Sequence, residues 1–306
     1  MVSFTLPALG RAIALLSLTS VLPATTAAPS PVVEAETSTL LEARAGVPWV
    51  ARHGLNSAQY QQAFDSWAAQ GYKLSYVAGY TWNNDARYAA LWEKSVPYPW
   101  VARHGLTSAQ YQQAFDTYVA QGYRPKHVYG YDVGGTARYA AIWDKSPAPG
   151  NGGWVARHGL TSAQYQAAFD MYSGAQGYRL AHVSGYSEGG QPRYAALWER
   201  PADNYAWVAR HGLTSAQYQT AFNQYTSQGY RPVKVSGYSV GGVDYYAAIW
   251  DKAPSPGWVA RHAMTSAGYQ SEFDKWVGQG YRLSVVSAYT LGGNQDRYAA
   301  IWVKDV

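Results

Sequence analysis

Between Trp100 and Trp143 the spacing of apolar side chains changes twice. W-V-A-R-H-G alternates and is rich in strand formers, so it reads as a strand. From Thr107 onward the apolar residues Tyr111, Ala114, Phe115, Tyr118 and Val119 fall at helical spacing, with Gln112, Gln113, Asp116 and Thr117 on the opposite side. Thr107 stands three residues before Gln110, a capping box, and Leu106 and Tyr111 are placed for a hydrophobic staple. Gly122 supplies the left-handed residue that ends the helix. Alternation returns in Y-R-P-K-H-V-Y-G-Y, and a Gly-Gly pair then separates it from a third strand, R-Y-A-A-I-W. The pattern predicts strand, helix, strand, strand.

That unit is written five times, over residues 49–92, 100–143, 154–198, 207–250 and 258–302, with starts 51 to 54 residues apart. Self-similarity at such a period marks a repeat architecture. The paired alanines, Ala89 and Ala90 for example, imply close packing against a neighbouring unit. The outer units keep their apolar pattern, whereas an open stack needs terminal units with more polar faces. The expected fold is therefore α+β, five tandem strand-helix-strand-strand repeats forming a closed propeller-like ring within one domain, residues 46–306. Connectors rich in Pro, Gly and Ser, such as SVPYP and APSPG, join the units.

The residues W-V-A-R-H-G-L-T-S-A-Q-Y-Q, then F-D, Q-G-Y-R, V-S-G-Y and R-Y-A-A-I-W, resemble the bacterial tandem repeat domain. This is the repeat of the N-terminal region of fungal polyglycine hydrolases and related serine hydrolases, and the similarity spans roughly residues 49–302. In those hydrolases the chemistry belongs to a separate domain similar to β-lactamases, with its nucleophile in Ser-x-x-Lys. No lysine of this chain has a serine three positions before it. The resemblance therefore implies the repeat and not the hydrolase site.

Composition narrows the function classes. With 306 residues, 47% of them hydrophobic and 14% charged, the chain can bury a substantial core. Residues 1–28, with Arg11 before the short apolar stretch Ala12 to Leu22 and small residues through Ala27 and Ala28, have the layout of a secretory signal. Residues 29–45 are polar and acidic and read as a disordered leader or pro-segment. A secreted protein without cysteine must then be held by burial and hydrogen bonding alone. The net charge of +5 is spread without any basic run of five residues, so a nucleic-acid partner is not expected. No apolar run is long enough to span a membrane.

The conspicuous polar feature is Arg-His, at Arg52 and His53, Arg103 and His104, Arg157 and His158, Arg210 and His211, and Arg261 and His262. Neighbouring strand residues face opposite sides, so the two cannot share one site without a bulge. The favoured structural role has Arg stacked on an aromatic or paired with the helix carboxylate (Asp65, Asp116, Asp170, Asp274), and His bonded to nearby backbone. The functional role is a ring of cations binding acidic or glycan ligands. Ser108, His104 and Asp116 co-occur but make a poor triad, because serine is expected at a first helical turn. No metal-binding spacing is present, and no metal or cofactor is expected. His127 and His182 share a unit position with Tyr76, Lys234 and Val285, and that variability suggests exposure. Most of the 13 Trp and 28 Tyr recur at fixed unit positions, as core residues do, but Trp82, in the turn T-W-N-N-D of the first unit, recurs nowhere and is a candidate contact residue. The sequence thus favours a secreted, non-enzymatic protein with multivalent recognition of a polysaccharide or protein surface ligand. The alternative is a hydrolase of the polyglycine type, or a docking module for one.

Overall fold

A computed structural model describes residues 46–94, 98–150 and 152–304. The expected signal and leader, and parts of two connectors, lie outside these described residues. The first unit contains β1 (Trp49–Asn56), α1 (Ser57–Ala69), β2 (Lys73–Trp82) and β3 (Asp85–Glu93). The second has β4 (Trp100–Leu106), α2 (Ser108–Ala120), β5 (Arg124–Val133) and β6 (Thr136–Asp144). The third has β7 (Trp154–Leu160), α3 (Ser162–Phe169), β8 (Arg179–Glu188) and β9 (Gln191–Glu199). The fourth has β10 (Trp207–Thr214), α4 (Ser215–Ser227), β11 (Arg231–Val240) and β12 (Val243–Asp251). The fifth has β13 (Trp258–Met264), α5 (Ser266–Gly278), β14 (Tyr281–Leu291) and β15 (Gln295–Lys304).

Each unit is a three-stranded antiparallel sheet in the order β1-β3-β2. The first two strands of a unit therefore run parallel on either side of the third, and parallel strands need a crossover. The helix supplies it. Four helices start in full capping boxes, Asn56/Gln59, Thr107/Gln110, Thr161/Gln164 and Thr214/Gln217, while in the fifth Thr265 caps alone because Gly268 replaces the glutamine. Gly71, Gly122, Gly177, Gly229 and Gly280 follow the helices at positive φ, as expected. The third unit carries one extra residue here, and it is absorbed by a π-helical turn over Asp170–Ala175. The expected buried helix face is partly corrected: Tyr111 is buried, while Ala114, Phe115, Tyr118 and Val119 are half-buried. In the third and fourth units a second tyrosine, Tyr172 and Tyr225, is buried as well.

The core of a unit is a stack of aromatics. Tyr60 lies 4.6 Å from Tyr88, with the indole of Trp92 next to it, and Tyr111, Tyr139 and Trp143 repeat the arrangement. The paired alanines are wholly buried, so neighbouring sheets approach closely, as the sequence predicts.

The second strands of the units, β2, β5, β8, β11 and β14, touch one another in succession, and β14 also touches β2. They are the edge strands of their sheets and face the inside of this cycle of contacts. All five joints repeat one set of contacts. The opening tryptophan of each unit meets the helix phenylalanine of the unit before: Trp100 with Phe64, Trp154 with Phe115, Trp207 with Phe169 and Trp258 with Phe222. Trp49 meets Phe273 of the fifth unit in the same way, at 5.8 Å. Four inner-strand tyrosines lie on a glycine of the previous unit and reach a core tyrosine there, as Tyr131 lies on Gly79 and bonds Tyr88 (2.8 Å between hydroxyls), while for Tyr80 the glycine position is Ala288. Tyr80 bonds Tyr298 of the fifth unit at the same distance.

Candidate functional site

The first strand of each unit splits its Arg-His pair. Alternation sends the tryptophan and histidine towards the previous unit and the arginine towards the unit's own helix. His104 stands edge-on to Tyr60 and Tyr88 of the first unit, at 4.6 and 5.2 Å. His158 holds Tyr111 and Tyr139, His211 holds Tyr165 and Tyr194, His262 holds Tyr218 and Tyr246, and His53 holds Tyr269 and Tyr298. The histidines are thus joint residues, and their expected backbone bonds are replaced by tyrosine rings. Burial lowers the pKa of all five, to about 4 for His53 and His158, so they are neutral near pH 7. After the histidine the strand bulges: Arg52 pairs Ala90 but Leu55 pairs Tyr88, and Gly54 takes a φ of 72°.

The arginines lie at the rim. Arg52 stands over Trp67 at 5.5 Å, Arg103 over Tyr118 at 5.3 Å, Arg157 over Tyr172 at 5.4 Å, Arg210 over Tyr225 at 5.4 Å and Arg261 over Trp276 at 5.6 Å. Stacking on an aromatic is therefore as expected, but pairing with the helix aspartates is not found. Gln61, Gln112, Gln166 and Gln270 donate to Asp65, Asp116, Asp170 and Asp274 one turn later instead. Among the described residues only Arg261 reaches a helix carboxylate, Glu272, at 3.1 Å. All the arginines but half-buried Arg52 are exposed. In the fourth unit Arg210, Gln217, Thr220, Gln224 and Tyr225 line a shallow groove of about 400 Å³.

The Ser-His-Asp constellation is not assembled. Ser108 meets His158 of the next unit, at 3.2 Å, rather than His104, and Asp116 is held by Gln112. Ser266 and His53 repeat the contact at 3.4 Å. No carboxylate bonds either imidazole among the described residues, so no group orients a base. Among the described residues there is also no cluster of three metal-ligating side chains.

The inside of the cycle holds groups that the sequence misplaces. Tyr76, His127 and His182 are buried rather than exposed; Tyr76 and His127 lie 4.3 Å apart and His127 and His182 4.4 Å. Lys234 stands over the Tyr76 ring at 5.5 Å, and burial together with neighbouring Lys126 holds its ammonium down at about 8. The position varies because five copies of one large side chain cannot converge on a common axis. His127 and His182 reach the Val77 and Val128 carbonyls of the previous unit, at 2.6 and 2.8 Å.

Above this layer a pocket of about 350 Å³ opens towards the hairpins. Tyr129 lines it and spans the axis to bond Ser287 at 2.6 Å. Thr81, Asp132, Ser187, Ser239 and Thr290 stand at its mouth, one from each unit. The hairpins turn on Asn83-Asn84, Gly134-Gly135, Gly189-Gly190 and Gly241-Gly242, all at positive φ. Trp82 is therefore the last residue of β2, paired with Asp85, and not a turn residue; it is half-buried. Sequence reasoning missed this pocket, although its signal was present in a strand whose axial positions vary while its flanks repeat.

Fold and site define a five-unit repeat protein with one axial pocket and a rim of stacked arginines. The family model described as polyglycine hydrolase-like, structural repeat matches residues 46–95, 97–146, 151–201, 204–253 and 255–305. The chain belongs to this family.

Proposed function

We propose that the protein is a secreted, non-catalytic module that binds a repetitive polymer, glycan or cell-surface chain through several weak sites at once. The carrying observation is the set of five guanidinium groups held over aromatic rings at equivalent rim positions. Each pair offers a fixed cation beside an aromatic face, and an exposed contact of this kind is worth about 0.5–1 kcal/mol. Linked sites raise apparent affinity by about 10²–10⁴ where geometry allows joint engagement. The N-terminal apolar stretch supports secretion, and sequencing of the exported protein is expected to start near Ala28 or Pro29. Family membership also favours a second role, docking of a hydrolase.

The test is retention of the mature protein on pectate, chitin and β-glucan. Retention on at least one is expected, with a few-fold loss for Arg210→Ala and complete loss when Arg103, Arg157, Arg210 and Arg261 are all replaced by alanine. No retention on any polymer, or retention indifferent to the four substitutions, sinks the rim reading.

A further inference from the structure

The inner strands are edge strands, so their outward amides need partners from elsewhere. In three units the next unit supplies a serine. Gly130 donates to Ser184 Oγ at 3.1 Å, Gly185 to Ser236 Oγ at 3.0 Å and Gly237 to Ser287 Oγ at 2.8 Å. At the equivalent place beside Gly79 stands Tyr129, whose hydroxyl is turned across the axis to Ser287. Beside Ala288 stands Ala78, which has no hydroxyl to offer. The amides of Gly79 and Ala288 are therefore the two that no serine caps. They belong to the first and fifth units, which touch, and both residues line the axial pocket.

We propose that the axial pocket binds one neutral polyol of monosaccharide size, whose hydroxyl oxygens accept from the Gly79 and Ala288 amides. The cavity of about 350 Å³ falls within the size of small-molecule clefts. Its floor presents backbone donors and acceptors side by side, since the Ala288 carbonyl there also accepts from the Tyr129 hydroxyl at 3.4 Å, a pairing that suits a hydroxyl better than an ion. Its mouth carries the half-buried Asp132 carboxylate with Glu188 close enough to act on it, which opposes an anion. A hydroxyl both donates and accepts, so a neutral sugar satisfies floor and mouth together. Ser187 and Ser239 add two more hydroxyls at the mouth. This site is separate from the rim arginines and stands or falls without them.

The probes are glucose, galactose, mannose and N-acetylglucosamine, titrated calorimetrically at millimolar concentration into the full protein. Saturable binding of at least one is expected. Ala78→Ser places on Ala288 the cap that Ser184 places on Gly130, and should weaken that binding by about tenfold with the melting temperature unchanged or higher. Asp132→Asn, which keeps an oxygen for the Gly135 amide, should weaken it as well. Gln113→Ala, on the exposed face of α2, should bind as the unaltered protein does. The proposal is overturned if none of the four sugars binds, or if both pocket variants bind as tightly as the parent.

Discussion

One place where the fifth unit departs from the others is a position that takes positive φ in all five. Gly54, Gly105, Gly159 and Gly212 take positive φ after the histidine, and the fifth unit puts Ala263 there at a φ of 54°. A Cβ is disfavoured in that region, so Ala263→Gly should stabilise the protein by about 1 kcal/mol, read from urea unfolding. Gly130 shows the opposite constraint. A Cβ on it would stand 2.3 Å from Cδ1 of Tyr186, so the tyrosine of the next unit can lie only on a bare backbone. Gly130→Ala is expected to cost about 1–3 kcal/mol by overpacking the joint, measured the same way. The sequence displays both glycines in the first four units and alanine at both places in the fifth, but only the joint tells that one serves a bulge and the other a ring contact.

Among elements, the joint formed by the first strand carries a pH dependence. Its five histidines have folded pKa values below the ordinary 6.5, two of them at about 4. Between these limits the unfolded chain takes up protons that the folded chain refuses. Stability is therefore fully present above pH 6.5 and declines as pH falls towards 4. At the alkaline end the buried core tyrosines have raised pKa values, so stability declines again once the unfolded phenols ionise above pH 10. Replacing His53 and His158 together by phenylalanine keeps a ring against the tyrosines and removes two protonation sites. The acid midpoint of unfolding, followed by near-ultraviolet circular dichroism, should move to lower pH; an unmoved midpoint would show that the joints do not govern acid stability.

Over the whole molecule the repeats are equal in pattern and unequal in detail. Arg282 pairs with Glu93 at 2.7 Å, Lys73 with Asp144 at 2.5 Å, and Arg124 with Glu199, each linking one unit to another. Arg231 pairs instead with Asp251 of its own unit, at 2.9 Å, because Val303 occupies the acidic position in the fifth unit. The fifth unit meets the first through Trp49–Phe273, His53–Tyr269, Tyr80–Tyr298 and Arg282–Glu93. Deleting residues 255–304 would expose both faces of that contact. Loss of cooperative thermal unfolding is the expected result, whereas a shortened protein that still melts sharply would show that four units suffice.

The sequence by itself determined the unit. Period, caps, C-terminal glycines and turn residues are local signals, each acting within a few residues, and five copies made them unmistakable. It also determined that Arg and His part company, since alternation along a strand needs no tertiary information. What only the tertiary structure decided is where each face ends up. Histidines belong to joints because the neighbouring unit offers two tyrosine edges. Tyr76, His127, His182, Lys234 and Val285 vary because they converge on an axis, not because they are exposed, and the uncapped amides of Gly79 and Ala288 exist only where Tyr129 and Ala78 break the serine pattern. Convergence is a property of how units are arranged around one another, and nothing in a single repeat encodes it.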